Sequence, residues 1–289
     1  MRLHNAGKAA YLTVLFLPSK ACVPLDSPSD PTQEQPLQET PREPILNLPG
    51  ALTAYIALIA AIHLRVLLPD EWDNYVIDLF AFVPKRYDLT LLDAAFPGGT
   101  PAKLWTFVSY SLLHANLTHI GFNILWLLPF GSALARRFGA VRFYLFMAVT
   151  AAGGALAHLI THEHELAPMI GASASVSGAM AAAMRFAFVR GGFLSFGRGD
   201  ADAAARVPAL SLASALRNPR VLGFLAVWFG VNIVFGVGDL TPGAEGASVA
   251  WQAHIGGFLT GLLLFALFDP IPHVREDAAP ALPSESADS

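Results

Sequence analysis

The chain has 289 residues, 54% of them hydrophobic and 14% charged, with a mean hydropathy of +0.49. Soluble domains carry roughly 25% charged residues, so this composition excludes a disordered chain and argues against an ordinary soluble globule. A formal net charge of −4 leaves no basic excess for nucleic acid, and the single cysteine, Cys22, excludes a disulfide framework or a cysteine-rich metal site.

In chain order, residues 1–47 read as a disordered cytoplasmic tail. The run Ala9–Pro18 follows Arg2 and Lys8 and resembles a signal-peptide core. Pro18, Ser19 and Lys20 then interrupt the place where a small-residue cleavage site would fall. Residues 24–44 are rich in Pro, Gln, Ser, Asp and Glu and cannot bury enough apolar surface to order themselves. Six apolar segments follow, near 50–68, 109–131, 141–160, 169–189, 219–237 and 249–268. Each approaches the ~20 residues that cross a hydrocarbon layer. Backbone polar groups in lipid must be satisfied within the segment, so the segments predict helices and no strands. The fold class is therefore all-α: a polytopic membrane domain of six transmembrane helices over 48–270, followed by a disordered tail over 271–289.

The short loops orient the bundle. Arg136, Arg137 and Arg142 lie between the second and third segments. Arg185, Arg190, Arg198, Arg206, Arg217 and Arg220 lie around the 190–218 loop. The connections 161–168 and 238–248 carry no Lys or Arg. This asymmetry puts both termini and the 190–218 loop in the cytoplasm. It puts the 69–104 loop outside, with Trp72, Tyr75, Phe80 and Phe82 available to rest at the interface.

Polar groups inside apolar helices are costly in lipid and mark the bundle interior. The second segment carries His114, His119 and Asn123, the fourth Ser173, Ser175 and Ser177, and the sixth His254. At 1.5 Å per residue, Ser173 and His254 both fall roughly 6–8 Å below the outer ends of their segments. His254, Gly257 and Gly261 share one helical stripe, as do Ser173 and Ser177, and His119 and Asn123. Small residues on the two stripes let the helices approach closely. A serine hydroxyl becomes a nucleophile when a neighbouring imidazole takes its proton. An Asn amide, a His N–H and a backbone N–H can stabilise an oxyanion. The roles that follow are nucleophile for Ser173, base for His254 and oxyanion donors for His119 and Asn123, in a dyad without a carboxylate.

The stretch His114-Ala-Asn-Leu-Thr-His119-Ile-Gly-Phe-Asn123, the stretch Gly171-Ala-Ser173-Ala-Ser-Val-Ser-Gly178 and the stretch Ala253-His254-Ile-Gly-Gly257 together resemble the rhomboid intramembrane serine proteases. The resemblance covers about residues 50–268, in the basic six-helix bacterial form. It implies cleavage of transmembrane protein substrates near their outer ends, within the lipid bilayer of the cell membrane. It implies no metal and no cofactor, and it assigns the same roles to Ser173, His254, His119 and Asn123. His114, Gly171 and Gly257 are expected to shape the site. Two positions depart from the family pattern. Ala174 stands where glycine usually follows the nucleophile, which leaves Ser177-Gly178 as a rival register about 6 Å deeper. Thr106 follows Trp105 where the family commonly has Trp-Arg, which puts the anchoring of the outer loop in question.

Other features have plain readings. The cluster His158, His162, His164, Glu163 and Glu165 could ligate a metal, but it lacks the His-Glu-x-x-His spacing and reads as a solvated loop. His63 and Arg65 read as snorkelling or neighbour-contacting side chains. Trp228, Phe229 and Asn232, with the 238–248 loop, are candidates for a moving gate. Two rival functions remain: an inactive relative that binds transmembrane clients, and a small transporter or metal-handling protein.

Overall fold

The structure, a computed structural model, describes residues 47–88, 96–194, 200–237 and 249–272, without the side chains of residues 235 and 237. The expectations for most of the two tails, for the 238–248 loop and for Arg198 lie outside the described residues. Ten helices are described: α1 (Gly50–His63), α2 (Asp70–Phe80), α3 (Gly99–Ser109), α4 (Leu117–Trp126), α5 (Ser132–Thr161), α6 (Ser173–Ala187), α7 (Ala201–Ala205), α8 (Leu212–Arg217), α9 (Pro219–Val237) and α10 (Trp251–Phe268). No strand forms among the described residues; one isolated antiparallel bridge joins Phe82 to Met169. The chain is an all-α polytopic membrane protein.

Among the described residues, length and apolar composition mark three stretches able to cross a membrane: Gly50–Leu67, Leu117–Thr161 and Trp251–Phe268. The second of these has 45 residues and merges two of the expected segments. Pro129 has no N–H to give to the helical ladder, and Leu127–Gly131 widens there into a π-helical turn linking α4 to α5. The break between the two segments is made by Gly139 inside α5, at φ +73° and ψ 170°, a conformation glycine enters without a Cβ penalty. α9 is apolar over a shorter stretch, Pro219–Val234.

α6 has only 15 residues, and every one from Ala174 to Ala187 is buried. Ala, Gly, Ser and Met give it a narrow profile, so neighbouring helices can enclose it completely. α5 and α10 do most of this. A Cβ built on Gly257 would overlap the Ala174 carbonyl, and one on Gly261 would overlap Gly178. The two four-residue steps, 174 to 178 on α6 and 257 to 261 on α10, therefore seat backbone against backbone.

Four local expectations are corrected. The second apolar segment is not one helix from residue 109: α3 ends in a 3₁₀ turn over Tyr110–Leu112, and His114 lies on the extended stretch before α4. Asn116 caps α4, its side chain accepting the His119 N–H at 2.9 Å. The fourth helix starts at Ser173 rather than near 169, so Ser173 is its first residue. The 69–104 loop is itself partly helical, and Phe82 is fully buried against Tyr87, Phe107 and Tyr110 instead of resting at an interface. Trp72, Tyr75 and Phe80 are exposed as expected.

That segment holds the chain entering α6. Phe82 and Met169 exchange backbone hydrogen bonds of 3.1 and 2.8 Å, and Lys85 N–H donates to the Glu165 carbonyl at 2.9 Å. Arg86 supplies the loop's internal anchor: buried, it donates to the Pro97 carbonyl at 2.8 Å and to that of Asp78. Trp105 Nε1 donates to the Leu79 carbonyl at 3.0 Å, and Thr106 Oγ1 lies 2.7 Å from the Tyr87 hydroxyl. The guanidinium absent beside Trp105 thus has a counterpart elsewhere in the loop.

Candidate active site

The approach to α6 begins at Gly171. Its N–H donates to the Tyr110 carbonyl at 3.0 Å, and its φ of +121° is one that L side chains rarely adopt. A Cβ there would also run into the His119 ring, 2.6 Å from Nε2. Glycine is thus required twice, by conformation and by close approach. The tight turn delivers Ser173 as the first residue of α6, with Ala172 as the capping position. The first intrahelical donor is Val176 N–H, to the Ala172 carbonyl at 2.9 Å. The N–H groups of Ser173, Ala174 and Ser175 precede it and have no partner within the helix. Partial positive charge therefore gathers beside the Ser173 side chain.

His254 is the fourth residue of α10, and its Nε2 lies 2.8 Å from Ser173 Oγ. Both side chains are partly buried. The close seating of α10 on α6 sets this distance, because Gly257 lies one turn below His254 and rests on Ala174. Ser173, and not the deeper Ser177, is the serine whose oxygen His254 meets. Ser175 donates to the Met147 carbonyl at 2.8 Å, which is a packing role. The Ala174 methyl is accommodated rather than strained. Gly154 on α5 faces it, and a Cβ at 154 would lie 2.5 Å from Ala174 Cβ.

The other named residues sit around this pair. His119 Nδ1 accepts a long hydrogen bond from Ala115 N–H, 3.4 Å, which leaves the hydrogen on Nε2, the nitrogen nearest Gly171. His114 is fully buried, accepts from Ala172 N–H at 3.4 Å and packs edge-on against His119 with centroids 5.1 Å apart. Asn123 is buried, and one of its amide hydrogens is turned back to the His119 carbonyl at 3.0 Å. Its second amide hydrogen is the one available to a ligand. Arg65, expected to snorkel or to contact a neighbour, is buried and does the second. It donates to the His114 carbonyl at 2.7 Å and pairs with Asp73.

The sequence offers Asn232 as a candidate for a gate. In the fold its Oδ1 lies 2.8 Å from His254 Nδ1. The signal was present: an amide in an otherwise apolar helix needs a partner.

Among the described residues, one other cluster could hold an ion. Ligand atoms of His158, His162 and Glu165 lie within 4.8 Å of one another. His158 is buried, not solvated as expected, and its ring stacks on His162 at 4.3 Å. His164 turns away to Asp88, 2.7 Å distant.

A family model for the Rhomboid domain matches residues 101–270. RHOMBOID-like protein 4 of Arabidopsis thaliana is 27% identical over 169 residues, 58% of this chain and 35% of that protein. Rhomboid protease GlpG of Serratia proteamaculans (strain 568) is 28% identical over 163 residues, 56% of this chain and 47% of that protein. The match thus covers less than half the length of either curated relative.

Proposed function

The chain belongs to the rhomboid family, and from that premise we propose that it is an intramembrane serine endopeptidase cleaving transmembrane-helix substrates near their outer ends. One observation carries the reading: a serine hydroxyl at the first residue of a buried helix, 2.8 Å from an imidazole nitrogen on another helix. Neither group gives this geometry any evident packing purpose, and together they are the reacting pair of acyl transfer.

The steps follow from the atoms. Ser173 Oγ attacks the scissile carbonyl carbon while its proton passes to His254 Nε2. The carbonyl oxygen becomes an oxyanion facing the free N–H groups at the start of α6, with His119 Nε2–H and the second Asn123 amide hydrogen as further donors. The C–N bond breaks as His254 returns the proton to the leaving amine. Water then attacks the acyl-serine carbonyl, giving its proton to His254, and the serine is regenerated as the acid product leaves. A helical peptide bond is shielded by its own hydrogen bonding, so the substrate must unwind locally first.

In this reading the domain makes six crossings of a bacterial cell membrane. Both termini and the Arg-rich 190–218 loop lie in the cytoplasm, and α2 lies outside with Asp70, Glu71 and Asp73 at its acidic start. The partners are the bilayer and transmembrane proteins; no cofactor enters a step.

The test is cleavage of a single-span substrate by the full chain reconstituted in vesicles. Wild type cuts, while Ser173→Ala and His254→Ala fall to background with unchanged expression and melting. Asn123→Ala costs less, about tenfold to a hundredfold in kcat, because other donors remain. Cleavage by Ser173→Ala at the wild-type rate overturns the reading. Binding of the substrate without cleavage by wild type makes the chain a client-binding relative instead.

A further inference from the structure

We propose that Asn232 is a positioning residue for the reaction, holding His254 in the one tautomer whose Nε2 can take the Ser173 proton; this rests on the protease reading above. The amide's orientation is set by its own helix. Asn232 Nδ2 donates to the Trp228 carbonyl, four residues back on α9, at 2.8 Å. A flipped amide would set Oδ1 against that carbonyl, two acceptors face to face. The backbone of α9 therefore fixes which end of the amide looks outward, and it is Oδ1.

Oδ1 can only accept. Lying 2.8 Å from His254 Nδ1, it requires the hydrogen to be on Nδ1. A neutral imidazole with Nδ1–H has its lone pair on Nε2, and Nε2 is the nitrogen 2.8 Å from Ser173 Oγ. The four groups form one directed relay from the serine hydroxyl through imidazole and amide to the Trp228 carbonyl. Reversing any one bond would leave two donors or two acceptors in contact. The opposite tautomer would point Nε2–H at the serine and could not accept its proton.

The setting explains the choice of an amide. Asn232 is buried within the apolar stretch of α9 after Arg220, where an ionised carboxylate would be far more costly. A neutral oxygen performs the orienting part of the third group's task without the charge. α9 is held to α10 by a second contact one turn away: the Trp228 ring stacks on Phe258 with centroids 4.3 Å apart. Residues 228 and 232 thus face 258 and 254 as a two-rung ladder. Val227, Val231, Ile233 and Val234 are exposed and give α9 an apolar outer face.

Two measurements test this. In the first, wild type, Asn232→Leu and Asn232→Asp are compared on the single-span substrate, with Ser173→Ala as the blank. Asn232→Leu keeps the side-chain shape and removes the acceptor. Its kcat falls on the order of ten- to a hundredfold, a part of the ~10²–10⁴ that general base catalysis supplies, with KM within about threefold. Asn232→Asp retains an oxygen toward Nδ1 in either protonation state and recovers part of the loss. A full wild-type kcat in Asn232→Leu, with Ser173→Ala still dead, overturns the role of Asn232 and leaves the protease reading intact. In the second, protein labelled with ¹⁵N at histidine gives the protonation of each ring nitrogen, the His254 signals being those lost in His254→Ala. Wild type shows hydrogen on Nδ1 and none on Nε2, and the Leu variant shows both forms. A wild-type ring protonated on Nε2 alone overturns the proposal even where the Leu variant does not fold.

Discussion

At the residue scale, the methyl of Ala174 has the clearest structural consequence. It fills a space that exists because position 154 lacks a side chain. A Cβ on Gly154 would also come within 2.8 Å of the Ala253 carbonyl and 3.0 Å of the Tyr110 hydroxyl. Gly154→Ala is expected to lower stability by about 1–3 kcal/mol, the usual cost of overpacking. Adding Ala174→Gly should return part of that loss, since one of the three clashes disappears. Thermal melting of the two variants in detergent checks this, and a Gly154→Ala protein as stable as wild type would show that the three groups can move apart freely. The same residues show why sequence reasoning stopped where it did. The departure at 174 is visible in the sequence, but its compensation lies twenty residues upstream on another helix.

At the element scale, the meeting of Ser173 with His254 depends on α10 lying flat against α6. Gly257 and Gly261 meet backbone atoms of Ala174 and Gly178, so the neighbour cannot yield as a flexible side chain could. Gly257→Val should therefore separate the helices, destabilise the protein by more than a surface change would and abolish cleavage, because Ser173 and His254 ride on the parted elements. Loss of cleavage with an unchanged melting temperature would contradict the first half of that expectation. This packing was legible in advance: the small residues and the histidine share one stripe at helical spacing. Element ends were less legible. The start of α6 at Ser173 depends on the bridge between Phe82 and Met169 and on the Gly171–Tyr110 bond, both long-range pairings that no local pattern announces. The fusion of two apolar segments into Leu117–Thr161 depends on where the ladder breaks. That place is Gly139 rather than a run of turn residues. Asn232 is visibly polar in the sequence, but its partner on α10 is a tertiary fact.

At the scale of the whole molecule, the end of the bundle away from the serine is fastened by a buried ion pair. Arg137 donates to both oxygens of Asp269 at 2.9 and 2.8 Å and to the carbonyls of Ala205 and Val207 at 2.8 Å each. Its guanidinium also lies over the Phe186 ring, 4.5 Å from the centroid. The pair joins the second turn of α5 to the C-cap of α10, and both side chains are fully enclosed. Arg137→Met removes these hydrogen bonds and should cost more than about 1 kcal/mol, read as a lowered melting temperature with Ser173 and His254 chemically intact. A change under about 1 kcal/mol would mean that the pair is no more than a surface contact. Topology has its own test: in a Cys22→Ser background, Trp72→Cys should react with an impermeant thiol reagent added outside intact cells, and labelling only after lysis would reverse the proposed orientation.

The most direct measurement is made on Ser173, the proposed nucleophile. The reconstituted protein is treated with a fluorophosphonate and the modified peptide is identified by mass spectrometry. The account predicts one adduct, on Ser173, absent in Ser173→Ala and formed far more slowly in His254→Ala. An adduct on Ser177, or a wild-type protein that stays unmodified while it cleaves substrate, would contradict it.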